Sequence, residues 1–556
     1  MQPQEMLNLW MAHSSFDEKT RAEVRQIAED EKEVLSRFGS DLAFGTGGLR
    51  GVLGAGSNRM NCYTVARASQ GLAAYLRSMG GKSVAIAHDS RNGSREFALV
   101  SAGVLARNGI VAYCFDRLMP TPILSFATRE LNCDAGIVIT ASHNPAQYNG
   151  YKVYGADGCQ ITDEAAAAIT ECIQPVNYVE VSWMEEDQAR QTGFLKDVPE
   201  AVYQKYLAKT LSLRVEEPRT SFSLKMVYTP LNGTGIQPIR DVLTRIGFHG
   251  CVEVTKQCIP DGNFPTCLKP NPELPEALHL ALETARQERA DIVTATDPDC
   301  DRIGVAVRDS NGEYQILTGN EIGLLLMEYL IKAHMAKGTL SQDPIVIKTI
   351  VTSDLCFAIA KRYGVQVKEV LTGFKYIGES IGFLEKLGQA DRFLLGFEES
   401  CGYLAGTHVR DKDGVMACML VVDMAQYHAN QGHTLLDALE ELYETYGHMQ
   451  NSLLSYDIED TLPMEKMRAT MTRLRSHPPE MLGRGIITKV KDYISGLDGL
   501  PASDVLSFEN NQGDKAIIRP SGTEPKVKVY LFAKGSSRVE ASQKLKDMRK
   551  QSDSWI

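Results

Sequence analysis

No stretch of this 556-residue chain approaches the roughly 18 consecutive apolar residues that a bilayer span requires, so a helical membrane protein is not expected. Met1 to Trp10 lacks the basic-then-apolar order of a secretory signal, and the cytoplasm is the expected compartment. The 12 cysteines are dispersed singly, with no CxxC pair and no His/Cys cluster at zinc spacing, which leaves reduced and mostly buried thiols. Basic residues are in deficit, 59 against 70 acidic ones for a net charge of -11, and this argues against a general nucleic-acid surface. A phosphorylated ligand would therefore have to be met by local clusters. Low-complexity tracts are absent, and the glycosylation-like triplets at Asn92 and Asn232 are of the kind that arises by chance. What is present is ordinary globular composition, 43% hydrophobic and 23% charged, in a chain long enough for roughly three to five domains.

Residues 16–38 are charged with a spaced apolar minority, the pattern of one exposed amphipathic helix in an N-terminal extension over 1–40. From Ser83 onward apolar strand-like runs alternate with helical ones: SVAIAHD, SREFALVSAGVLARN, GIVAYCF, PTPILSFATREL and CDAGIVITAS. That alternation implies parallel βαβ units. It recurs from LKMVYTP to ADIVTATD and again from NEIGLLLMEYLIKAHMA to FLLGFEES. After residue 455 the pattern changes to helix, strand, strand pair and helix. The expected architecture is α/β: three related domains with mixed, largely parallel sheets over 41–210, 211–325 and 326–455, then a smaller α+β domain over 456–556.

Four loops carry chemistry. Ser142, flanked by His143 and Asn144 and followed by Pro145, stands where the apolar run Ala135 to Ile139 ends, as a nucleophile presented on a turn would. Asp297, Asp299 and Asp301 alternate after the strand DIVTA and are followed by Arg302; three such carboxylates converge on a hard cation when the backbone turns tightly, although an isolated acidic turn has the same composition. In Gly396-Phe397-Glu398-Glu399-Ser400, Glu398 and Ser400 have the hydrogen-bonding capacity to read neighbouring sugar hydroxyls. Arg519, Ser521, Gly522 and Thr523 lie between two strands and combine a planar guanidinium with approachable backbone N–H groups, an anion nest. Smaller runs supply further charge: Arg50 after a glycine-rich turn (Phe44 to Gly51), Lys152 beside the serine loop, Lys375 after Gly373-Phe374, the alternating His408, Arg410 and Lys412, and His88-Asp89-Ser90-Arg91 at a strand end.

In this order, the loops resemble those of the α-D-phosphohexomutases, the phosphoglucomutase and phosphomannomutase family, from about Ala43 to Ala533. TASHNP around Ser142 resembles the family's phosphoserine loop, DPDCDR its metal loop with Pro298 and Cys300 at the spacer positions, GFEES its sugar loop, and RPSGTEP its phosphate loop. The GFEES form and the N-terminal extension look like the larger phosphoglucomutase-2-type branch.

The resemblance implies an intramolecular phosphotransferase that interconverts glucose 1-phosphate and glucose 6-phosphate, and mannose phosphates too, as a monomer or homodimer. It implies Ser142 as phosphoryl carrier, a Mg²⁺ held by Ser142, Asp297, Asp299 and Asp301, and glucose 1,6-bisphosphate as activator and intermediate. Arg50, His143, Lys152 and Lys375 would serve catalysis; Arg302, Glu398, Ser400, His408, Arg410, Lys412, Arg519, Ser521, Gly522 and Thr523 would hold substrate. Gly402 stands where some relatives carry a histidine proposed as acid/base, which leaves His143, Lys152 and Lys375 as candidates. The alternatives are a phosphopentomutase or bisphosphate synthase of the same family, a hydrolase, and an idle sugar-phosphate binder.

Overall fold

A group of parallel strands closed on one side by an antiparallel hairpin recurs three times along the chain in the computed structural model, which describes residues 2–215, 222–458, 463–521 and 526–556. The first sheet contains β1 (Gly48–Val52), β2 (Ser83–His88), β3 (Val111–Cys114), β4 (Ala135–Ile139), β5 (Tyr148–Gly155) and β6 (Leu195–Asp197) in the order β1-β5-β4-β2-β3-β6. The second contains β7 (Met226–Thr229), β8 (Cys251–Glu253), β9 (Ile292–Thr296), β10 (Ile303–Arg308) and β11 (Tyr314–Leu317), ordered β11-β10-β9-β7-β8. The third contains β12 (Ile345–Thr349), β13 (Gln366–Val370), β14 (Phe393–Glu398) and β15 (Gly402–Leu404), ordered β13-β12-β14-β15. The hairpins are β4–β5, β9–β10 and β14–β15, all antiparallel, and the strand on the other side of β4, β9 and β14 is parallel in each case. The mixed sheets of the three related domains thus follow from one repeated topology.

Every residue of β4 and of β9 is buried, as expected for central strands covered on both faces. Their apolar runs therefore end abruptly at the carboxyl edge, where open α/β sheets present ligand-binding loops. The fourth sheet is antiparallel throughout: β16 (His448–Asp457), β17 (Met481–Leu482), β18 (Gly485–Asp492), β19 (Leu506–Asn510), β20 (Lys515–Pro520) and β21 (Lys526–Gly535), ordered β16-β21-β20-β19-β18-β17. It packs Tyr493, Val505, Ile517, Tyr530 and Phe532 against Ile350, Val351 and Leu371 of the third domain, and Lys515 reaches Asp354 there at 2.5 Å.

The sequence-based boundaries need adjustment. Helix Gly319–Lys337, capped by the reciprocal Thr318/Glu321 pair, runs through the boundary expected at 325/326, and β16 runs through the one at 455/456. The single helix expected over 16–38 is two, Glu18–Ile27 and Glu31–Phe38, because the Asp30 carboxylate accepts from the amides of Lys32 and Glu33 and starts a second helix. A further helix, Pro3–Ala12, buries Trp10 against Phe16, Phe38, Tyr63 and Tyr178, so the extension is built onto the first domain. The glycine-rich turn read before Arg50 gives way at Gly48 to β1, which places Arg50 on a strand opposite Gly150. All 12 cysteines are unbonded, and among the described residues no helix is long and apolar enough to cross a membrane.

Candidate active site

The three hairpin loops share a backbone device. Each contains one non-glycine residue in the left-handed region: Ser142 (φ 52°), Cys300 (φ 53°) and Cys401 (φ 60°). Such conformations cost on the order of 1–3 kcal/mol and persist where the surroundings impose them. Around Ser142 the surroundings are explicit: its amide donates to Thr140 Oγ1 at 2.8 Å, and its carbonyl accepts from Arg91 Nη2 at 2.5 Å. The result lifts the Ser142 side chain toward the second domain.

There it meets the aspartates. Ser142 Oγ donates to Asp297 Oδ2 at 2.7 Å and lies 3.1 Å from His143 Nδ1. Asp297 Oδ1 accepts the amides of Asp301 and Arg302, both at 3.1 Å, which folds the loop tightly enough to bring Asp297, Asp299 and Asp301 oxygens within 4.8 Å of one another. Asp299 Oδ2 accepts from Lys152 Nζ at 2.8 Å and Thr121 Oγ1 at 2.9 Å; Asp301 Oδ2 faces Lys412 Nζ at 3.1 Å and Lys152 Nζ at 3.6 Å. The other oxygens, Oδ1 of Asp299 and of Asp301, are buried without a hydrogen-bond partner. Two orphaned carboxylate oxygens in an all-oxygen cluster fit a hard divalent cation such as Mg²⁺.

The charges respond to this crowding. Burial, with Asp299 and Asp301 nearby, pushes the Asp297 carboxyl well above its usual range, whereas at Asp299 the effect of burial is outweighed by Lys152. Burial acts against the Lys152 and Lys412 ammonium groups too, but the aspartates outweigh it and hold both above their ordinary values, firmly protonated. Burial, reinforced by Arg302 and Arg50, holds His143 well below the usual imidazole range, so its ring is neutral.

Other residues singled out from sequence divide into those brought to this cluster and those kept from it. Arg50 reaches the serine loop through Asn144 Oδ1 at 3.5 Å. Arg302 pairs with Glu273 at 2.7 Å beside the aspartates. Glu398 is buried, accepts the Gly373 amide at 3.0 Å and is raised by its burial. Ser400 lines a cavity of about 360 Å³ at the junction of the last three domains, with Glu399, Asn320, Asn451 and Tyr530. Arg519, next to the last residue of β20, pairs through its backbone with Lys528 of β21, while the Ser521 amide donates to Lys526 O at 2.7 Å. Gly522 and Thr523 lie outside the described residues.

Three of the expected residues lie apart from the serine and aspartate cluster. Lys375 Nζ is paired with Asp163 at 2.7 Å, in the first turn of helix Asp163–Ile173, and makes no contact with Ser142 or the aspartates. His408 is enclosed by Phe126 and Tyr206, with Asp413 4.0 Å from Nε2, and Arg410 turns to Glu385 at 2.6 Å and to the carbonyls of Thr407 and Val409. Of the alternating segment only Lys412 enters the site, since the chain there is irregular and successive side chains do not share a face. Sequence reasoning missed Thr121, whose only signal is its place at the start of a helix after Pro120, and Asp411, which ties Tyr154 OH at 2.7 Å to Lys412 at 3.0 Å.

Comparison with known proteins adds to this geometry. Residues 41–179, 201–312 and 318–446 match phosphoglucomutase/phosphomannomutase alpha/beta/alpha domains I, II and III. A phosphoglucomutase of Staphylococcus aureus (strain USA300) is 35% identical over 542 residues, covering 94% of this chain and 96% of its own. In structure, the pp63/parafusin phosphoglucomutase of Paramecium in its open form is similar with a TM-score of 0.70 at 18% identity, over 93% of this chain and 95% of its own. A phosphoglucomutase/phosphomannomutase family protein of Burkholderia thailandensis has a TM-score of 0.68 at 19% identity, over 93% and 98%.

Proposed function

Because the chain belongs to the α-D-phosphohexomutase family of phosphotransferase-type isomerases, we propose that it interconverts glucose 1-phosphate and glucose 6-phosphate, with mannose phosphates as further substrates, by way of phospho-Ser142. The observation that carries this reading is the seat of Ser142 Oγ, 2.7 Å from Asp297 in a carboxylate cluster flanked by Lys152 and Lys412.

Phosphoryl transfer depends on position and on neutralising oxygen charge more than on covalent help from the protein. In the proposed cycle phospho-Ser142 gives its phosphoryl group to a sugar hydroxyl: the bond from phosphorus to Ser142 Oγ breaks, the bond to the sugar oxygen forms, and one proton passes in net from that hydroxyl to Ser142 Oγ. The bisphosphate then turns and returns its other phosphoryl group to Ser142. Lys152 and Lys412, held protonated beside the aspartates, would serve as electrostatic partners for the phosphoryl oxygens. Among the acid/base candidates His143 lies nearest the reacting oxygen, 3.1 Å from Ser142 Oγ, while Lys375 is held by Asp163. Asp297, Asp299 and Asp301 would hold Mg²⁺, which supplies positive charge to the phosphoryl group when bound. Arg519 and Ser521 would grip the phosphate that is not reacting, with Glu398 and Ser400 on the sugar hydroxyls. Glucose 1,6-bisphosphate would be both intermediate and activator.

A coupled assay of the purified protein with Mg²⁺ and a trace of glucose 1,6-bisphosphate, beside a Ser142→Ala control, tests the reading. Turnover of glucose 1-phosphate in the wild type and none in the control is the expected result. A folded wild type without turnover would remove glucose phosphate and bring pentose phosphate or bisphosphate synthesis forward.

A further inference from the structure

The serine loop is assembled around a side chain that takes no part in the cycle above. Carbonyl oxygens of Ser142, Asn144, Pro145 and Tyr148 all converge on the Arg91 guanidinium, from Nη2 at 2.5 Å to Ser142 O, from Nη2 to Asn144 O, and from Nη1 at 2.9 Å to Pro145 O and 3.0 Å to Tyr148 O. Buried carbonyls need donors, and four of them facing one point repel unless a cation sits between them. Arginine's rigid five-donor fork fills that position; lysine's ammonium has three donors at a single point.

Arg91 is itself fixed from two sides. Its Nε faces Asp89 Oδ2 at 3.3 Å, and Asp89 Oδ1 is held by the Arg91 amide at 2.9 Å and Ser94 Oγ at 2.7 Å. The guanidinium lies 4.9 Å from the ring centre of Phe264, a fully buried residue of the second domain, and next to it Asn92 Nδ2 donates to Asn263 Oδ1 at 2.9 Å. The side chain that shapes the serine loop thus rests on the domain that carries the aspartates.

We propose that Arg91, held by Asp89 and seated on Phe264, is a positioning residue that sets the Ser142 hydroxyl in register with Asp297 across the domain junction. The proposal rests on Ser142 being the phosphoryl carrier. Arg91 makes no hydrogen bond to the Ser142 hydroxyl or the aspartates; its charge is felt at Asp299, Asp297 and His143, and Arg91→Lys, which keeps the charge but not the fork, separates that field from the hold on the loop backbone. Displacement of a reacting group by about 1 Å is enough to cost about 100-fold in rate.

The test compares Arg91→Lys, Arg91→Met and the double variant Asp89→Asn/Arg91→Met, the last sparing the fold an unpaired buried carboxylate. Each is followed by kcat and KM for glucose 1-phosphate, by melting temperature, and by hydrogen exchange in peptides spanning 140–149 and 297–301. The expected result is a kcat lower by about 100-fold with KM changed less than about threefold, partial recovery in Arg91→Lys, and exchange accelerated at 140–149 but not at 297–301. A folded double variant with wild-type kcat and wild-type loop exchange overturns the proposal. So does a loss spread evenly over all peptides, which would mark a merely structural arginine. Should the wild type itself fail to turn over glucose phosphates, the proposed function falls and the exchange pattern alone decides: acceleration confined to 140–149 upholds the positioning role, and no acceleration ends it.

Discussion

Ser142 of the first domain and Asp297 of the second are joined by a 2.7 Å hydrogen bond although 155 residues separate them. Both sit in turns that join a parallel strand to its antiparallel hairpin partner, β4 to β5 and β9 to β10, so one repeated topology brings nucleophile and metal loop together from two domains. Asp297→Asn keeps the shape of that contact but removes a carboxyl that would become a metal ligand on losing its proton. The expected outcome is a fall in kcat of about 100- to 1,000-fold, the range lost when one preorganised electrostatic group is removed from a transition state, with a raised Mg²⁺ requirement. A Mg²⁺ titration of initial rates would check it, and wild-type dependence on Mg²⁺ in the variant would count against a ligand role for Asp297.

The orphaned oxygens of Asp299 and Asp301 predict that Mg²⁺ stabilises the fold as well as the reaction. A cation at about 100 times its Kd, bound to the native state alone, adds about 2.7 kcal/mol. Melting curves recorded in EDTA and in Mg²⁺ should therefore differ by several degrees. In Asp299→Asn/Asp301→Asn the difference should vanish; if it persists, the stabilising ion sits elsewhere.

The loops that could be read from sequence are those whose chemistry is local. Ser142, the three aspartates and the arginine-led phosphate loop each occupy a short run, and alternating apolar segments announced the strands that carry them. What could not be read is the direction of side chains on irregular backbone. His408, Arg410 and Lys412 are two apart, which on a strand would align them, yet the first packs between Phe126 and Tyr206, the second pairs with Glu385 and only the third meets Asp301. Lys375 shows the same limit: its partner Asp163 lies 212 residues away, and no local pattern signals the pairing. The helix break at Asp30 was encoded locally, but a capping aspartate within a highly charged run is hidden by its neighbours.

Arg519, next to the last residue of β20, is paired through its backbone with Lys528, and its guanidinium, close enough to Glu399 to counter the rise that burial gives that carboxyl, is placed to meet a ligand anion. Charge-assisted hydrogen bonds contribute about 1.5–3 kcal/mol, so Arg519→Ala should raise KM for glucose 1-phosphate by roughly 10- to 150-fold. Arg519→Lys should recover only part of the loss, because a point charge does not reproduce a two-pronged grip. Steady-state kinetics of the two variants decide the matter, and an unchanged KM in both would take the arginine out of substrate binding.

His408 should govern stability rather than substrate affinity. Burial, with Arg129 and Arg410 nearby, holds its folded-state imidazole down at about 3, against the ordinary value of 6.5. A depressed folded value means that the unfolded chain takes up a proton first as pH falls. The stability associated with neutral His408 is thus complete above about pH 6.5 and is lost progressively toward pH 3, at up to about 1.4 kcal/mol per pH unit. Asp413, whose carboxyl is raised to about 6 by burial, acts in the opposite sense: its contribution is present below the ordinary 3.8 and is lost as pH rises through 6. The two slopes offset each other in the wild type between those limits. Replacing the histidine exposes the difference. The stability of His408→Phe relative to wild type, measured by urea unfolding at a series of pH values, should improve steadily as pH falls from 6.5, while KM for glucose 1-phosphate at neutral pH stays within about twofold. A pH-independent difference, or a KM that rises by an order of magnitude, would return His408 to the substrate site.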